Sequence, residues 1–68
     1  MIDKTTDPRE AIEIAITREH EAYEFYKNHA ELFENAATKE MFLFLAEEES
    51  KHEAKLKKEL EDHLHYEM

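Results

Sequence analysis

The chain holds no glycine and a single proline, Pro8, in 68 residues. These two residue types are the main interrupters of regular backbone, and without them a chain has few places to turn. A stretch of this kind is expected to be almost entirely helical. Charged residues make up 40% of it, a fraction compatible with disorder, but the apolar residues recur at helical spacing. The expected fold class is therefore all-α: an antiparallel two-helix hairpin.

The helix signals can be placed. Asp7 can cap, Pro8 suits the first helical position, and Glu10 completes a capping-box spacing. The first helix is expected from about Pro8 to Phe33, after a loose start over Met1–Thr6. Its apolar face reads Ile12, Ala15, Ile16, Glu19, Ala22, Tyr23, Tyr26, Ala30, Phe33. Glu34–Thr38 is the expected turn, with Asn35 taking the left-handed conformation that a glycine would otherwise supply, or capping the next helix. The second helix is expected from about Ala37 to Leu64, with Phe42, Leu45, Ala46, Glu49, His52, Leu56 and Leu60 on its matching face. No boundary or repeat divides residues 1–68, which form one small domain.

Composition narrows the function. The net charge of −9 argues against nucleic acid and anionic membrane surfaces as partners. The absence of cysteine removes disulfides and thiolate metal centres. No apolar run is long enough to span a bilayer and no signal-peptide pattern is present. The chain reads as cytoplasmic, or enclosed by something cytoplasmic.

Two carboxylates and a histidine interrupt the apolar stripes. Glu49 and His52 are three residues apart and share a helix face. In a hairpin turning near Asn35 and Ala36, facing residues have numbers that sum to about 71. Glu19 then faces His52, with Glu49 one turn away. Two carboxylate oxygens and one imidazole nitrogen suit iron or manganese, and zinc can compete. His20-Glu21 and His52-Glu53 begin like a zinc-protease motif, but Glu24 and Leu56 stand where its second histidine belongs. His20, Glu24 and Glu31 fall on a polar stripe and are expected to be solvated. His63 and His65 suit the negative end of a helix dipole.

A second apolar azimuth bears on assembly. Ile14, Phe25 and Leu32 align about 140° from Glu19, and Met41-Phe42-Leu43-Phe44-Leu45-Ala46 is apolar all round. A two-helix hairpin cannot bury two faces, so a homo-oligomer is expected, at least a dimer forming a four-helix bundle. A two-fold dimer would pool four glutamates, which balance the charge of two divalent ions.

Glu19-His20-Glu21-Ala22-Tyr23-Glu24-Phe25-Tyr26 and Leu45-Ala46-Glu47-Glu48-Glu49-Ser50-Lys51-His52-Glu53 resemble the two helices of the rubrerythrin branch of the ferritin-like superfamily. That family carries the unit twice in one chain. The single hairpin here is similar to the encapsulated ferritins, in which two chains build one di-iron site. The resemblance implies a ferroxidase using two iron ions per dimer for iron storage or detoxification. It implies Glu19, Glu49 and His52 as ligands, Tyr26 as a supporting residue beside them, and Glu21 as an acidic residue on the route by which metal arrives. It also implies a ring of dimers and an encapsulin nanocompartment as the setting. No rubredoxin-like cysteine pair and no shell-targeting extension is present, which departs from the relatives. Two alternatives stand beside this reading: a non-catalytic dimerisation or sensor module, and a peroxide-reducing di-iron protein served by a separate electron donor.

Overall fold

A computed structural model describes the backbone of residues 2–64 and the side chains of residues 2–62. Helix α1 spans Pro8–Ala30 and α2 spans Ala36–Glu59, followed by a π-helical stretch, Leu60–Leu64. The two helices pack along their length as a hairpin, and the π-helical stretch returns against α1. The described residues contain no strand. His65 lies outside the described residues, as does the side chain of His63.

The start of α1 follows from its sequence. The Asp7 carboxylate accepts the Arg9 N–H (2.8 Å), and Pro8 occupies the first turn, where no N–H is needed. The residues before it are not loose. Asp3 Oδ1 accepts the Thr5 N–H (2.8 Å), Thr6 Oγ1 accepts the Asp3 N–H (2.9 Å), and the Thr6 N–H donates to the Asp3 carbonyl (3.0 Å). Asp, Thr and Thr thus satisfy one another's backbone in a tight turn. It sets Ile2 alongside Ile14, Ala15, Arg18 and Glu19.

Helix α1 ends at Ala30, a turn short of the expected Phe33. The Leu32 N–H bonds to the His29 carbonyl (3.0 Å) and the Phe33 N–H to the Ala30 carbonyl (3.3 Å), so the last turn tightens to three-residue spacing. This bends the chain across and lays the Phe33 ring 4.9 Å from that of Phe42. Asn35 is extended (φ −70°, ψ 120°), not left-handed, and no described residue has positive φ. It acts as a cap, its side-chain oxygen accepting the Thr38 N–H (2.9 Å). Asn35→Ala is expected to cost about 1 kcal/mol, read as a lower urea midpoint at fixed protein concentration. An unchanged midpoint would mean that solvent replaces the cap. The α-helical bonding of α2 stops at Glu59 rather than Leu64, and Lys58 Nζ donates to Asp62 Oδ2 (2.6 Å) across the junction.

Packing is thin. Ala30 and Ala46 are the only buried apolar residues described, and both lie toward the turn. Around them run edge-to-face and tilted ring contacts, Tyr26 on Phe42 (5.8 Å) and Phe25 on Tyr26 (5.4 Å). Leu32 is 73% exposed, Phe44 58%, Met41 57% and Phe25 51%. The hairpin is two layers wide, 49 × 24 × 13 Å, and among the described residues nothing covers these side chains.

Candidate metal centre

Glu19 sits mid-way along α1, and Glu49 and His52 share a face of α2. The antiparallel register brings the three to one height. His52 Nδ1 lies 3.4 Å from Glu19 Oε2 and 4.0 Å from Glu49 Oε1. One ligand atom from each lies within 4.8 Å of the other two. Both carboxylates are largely covered, with side chains 26% and 21% exposed, whereas the His52 ring is 51% exposed. The cluster is closed on the hairpin side and open on the other.

The electrostatics are those of a site lacking positive charge. Glu49 is held above the ordinary glutamate range, first because its carboxyl shares a hydrogen bond with Glu19 when one of the pair is protonated. Burial and the Glu19 charge push the same way, and His52 opposes them. With both groups ionised, neither can donate to the other. Glu19 Oε2 is covered and accepts no hydrogen bond. The nearby His52 nitrogen is at ion-pair distance without the alignment of a hydrogen bond. Leaving such an acceptor unsatisfied costs about 1–3 kcal/mol. A divalent cation would satisfy it and relieve the repulsion, and two oxygens with one nitrogen fit iron, manganese or zinc. The residues present therefore fit a metal of this class.

The raised Glu49 carboxyl has a pH consequence. Its folded form holds the proton more tightly than the unfolded chain does, so without cation it favours the fold below the ordinary glutamate range. That contribution is lost as pH rises through its folded value. Cation binding needs the ionised form, so Mn2+ affinity is expected to fall on acidification from a pH above that of a free glutamate. Calorimetric titration at several pH values of the parent beside Glu49→Gln checks this, because the His52 imidazole must also be free of a proton at its binding nitrogen and its effect remains in the variant. An affinity that declines only within the ordinary range would contradict it.

The other expected site residues are placed differently. Tyr26 lies two turns from Glu19 within the ring contacts, and no hydrogen bond joins it to the three ligand residues. Glu21 is exposed and stands about 200° round α1 from Glu19, outside the cluster. His20, expected to be merely solvated, is exposed but bonded across the hairpin: its Nδ1 lies 3.2 Å from Glu53 Oε1. The numbering sum pairs His20 with Lys51 and Glu53 with Arg18, so it does not single out this contact, which spans two residues off the facing register.

The open side of the cluster is also the apolar side. At 100° per residue, Phe25 and Leu32 lie about 120° and 140° round α1 from Glu19. Met41 and Phe44 lie about 80° and 140° round α2 from Glu49, in the same sense as His52 at about 60°. In an antiparallel pair, the same sense of rotation leads to the same face. Leu43 alone among the exposed large apolar residues of α2 turns the other way, toward Tyr23 and Lys27.

Among the described residues, no helix is long and apolar enough to cross a membrane. Comparison with curated proteins and with solved structures returned no match. The family model described as Rubrerythrin matches residues 1–62, nearly the whole chain. With that match, and with a carboxylate–carboxylate–histidine cluster set where two helices face each other, the chain belongs to the rubrerythrin family.

Proposed function

We propose that the hairpin is half of a di-iron ferroxidase, completed by a second copy docked on its open face. The observation that carries this reading is the convergence of Glu19, Glu49 and His52 around a covered carboxylate oxygen with no donor. Family membership supports iron as the metal. Doubling the cluster gives four carboxylates and two imidazoles, enough to neutralise two divalent ions.

Exposed area supports the second copy. A folded monomer of this mass exposes about 4,500 Å2, whereas the chain exposes 5556 Å2. The surplus of roughly 1,000 Å2 is close to what one partner buries in a standard interface, about 800 Å2. The exposed residues Phe25, Leu32, Met41 and Phe44 lie on the face toward which His52 opens.

Glu19, Glu49 and His52 of the two copies would hold two ferrous ions, which when bound would supply the two electrons that, with two protons, reduce dioxygen to hydrogen peroxide. The chain's own residues set the conditions. Glu19 and Glu49 provide negative charge that favours the higher oxidation state. His52 contributes a ring-nitrogen donor on the half-exposed side of the cluster, where the second copy would dock. The apolar face, once covered by the partner copy, excludes water from the surroundings.

The test is anaerobic ferrous titration followed by exposure to oxygen, with iron content and particle mass read on the same sample. About one iron per chain, dimeric or larger particles and rapid ferric absorbance are expected. Absence of binding, with assembly unchanged, would point instead to a helical interaction module. A second reading is favoured by the family match itself: a peroxide-reducing centre fed by a separate donor. Faster oxidation of the ferrous protein by peroxide than by oxygen would select it.

A further inference from the structure

We infer that the His20–Glu53 hydrogen bond, on the back of the hairpin, is a positioning device that holds α1 and α2 in the register bringing Glu19 against Glu49 and His52. This rests on the metal-binding reading above.

The pair lies one residue beyond Glu19 on α1 and one beyond His52 on α2, turned about 100° from those two ligands and about 40° from Glu49, away from the open face. His20 Nδ1–H donates to Glu53 Oε1 (3.2 Å), and Lys57 Nζ donates to Glu53 Oε2 (2.9 Å) from one turn further along α2. The Glu53 side chain is 15% exposed, more covered than either carboxylate of the cluster. Its carboxylate pairs with the Lys57 ammonium at 2.9 Å. It is therefore an ionised acceptor, and the bond between the helices requires the proton to reside on His20 Nδ1.

The register needs such a tie at this height. Ala30 and Ala46, the buried apolar residues, lie between the ligands and the turn. A slip of one turn would move Glu19 about 5.4 Å along the seam and out of reach of its partners. A bond one residue away, on the opposite face, opposes that slip without occupying the site.

Cobalt is the probe, because its visible bands report coordination and it is stable in air. Co2+ titrations of the intact chain would compare Glu53→Ala, Glu53→Gln, His20→Ala and the double alanine variant, with helix content followed by circular dichroism. Each alanine variant should bind cobalt about three- to tenfold more weakly, the loss of one hydrogen bond. The double variant should be no weaker than either alone, since one interaction is removed once. Glu53→Gln keeps an acceptor oxygen and should stay close to the parent in affinity and band position. Additive losses in the double variant, or parental affinity in both alanine variants, would overturn the inference. If Glu53→Ala loses helix content, His20→Ala, which leaves the Glu53–Lys57 pair intact, decides by the same measure. Failure of the parent chain to bind cobalt would overturn the metal reading and this inference together, whereas a binding parent with indifferent variants overturns this inference alone.

Discussion

Replacing His52 or Glu49 with alanine abolishes iron oxidation and leaves the helices of the metal-free protein in place. That is the expected result, and the reasons lie in where the two residues sit. His52 is half exposed and the apolar seam does not depend on it, so its removal leaves packing intact. Removing Glu49 takes away the carboxyl that repels Glu19, which should slightly stabilise the metal-free fold. Each change, however, deletes one of the three ligands a hairpin offers, and in a two-fold dimer it deletes two of six. Loss of groups that merely orient ligands lowers metal affinity about 10–100-fold, so loss of a ligand should cost at least about 100-fold. Ferric absorbance after oxygen addition, iron content after desalting and circular dichroism of the same sample check all three parts. Full oxidation by either variant would remove that residue from the proposed role.

The second large effect concerns assembly. Phe44→Glu is expected to raise the dimer dissociation constant by at least about 100-fold, while Leu43→Glu, one residue earlier, leaves it near the parental value. Both side chains are exposed in the hairpin, so neither change removes a contact within one copy. They differ in direction. Phe44 lies on the side toward which His52 opens, and Leu43 turns toward Tyr23 and Lys27. A buried aromatic at an interface centre typically accounts for 2 kcal/mol or more, roughly thirtyfold. Setting a carboxylate in its place, on a chain of net charge −9, adds an uncompensated charge to that loss. Sedimentation equilibrium with Mn2+ present would measure both variants. Parental association of Phe44→Glu, or equal damage from the two, would move the interface elsewhere.

Much of this arrangement was legible in the residue pattern, for identifiable reasons. Glu19, Glu49 and His52 break apolar stripes whose period is set by helix geometry, and a short turn fixes which residues face each other to within about one helical turn. Residue numbers therefore sufficed to bring them together. The hairpin end was less legible. Where α1 stops depends on whether the Phe33 ring reaches Phe42, a tertiary contact that no local propensity encodes. Asn35 had two acceptable roles, and only the path of the chain around Phe33 selects the extended cap over the left-handed turn. The turn made by Asp3, Thr5 and Thr6 escaped notice because three short polar residues before a helix also describe a frayed end. The His20–Glu53 bond was hidden by its exposure, since a polar stripe gives no sign of which polar residues reach across.

Two alanines are the only buried apolar side chains among the described residues, which leaves a lone hairpin with little to hold it. If copies pair on the open face as proposed, folding and pairing become one event, and the fraction of native chain rises with its own concentration. Dilution should accordingly shorten the lifetime of the protein toward proteases, because an unpaired hairpin opens readily and is cut while open. On that reading, synthesis level would act as a threshold: below it the chain would be cleared, and above it copies would protect one another and accumulate.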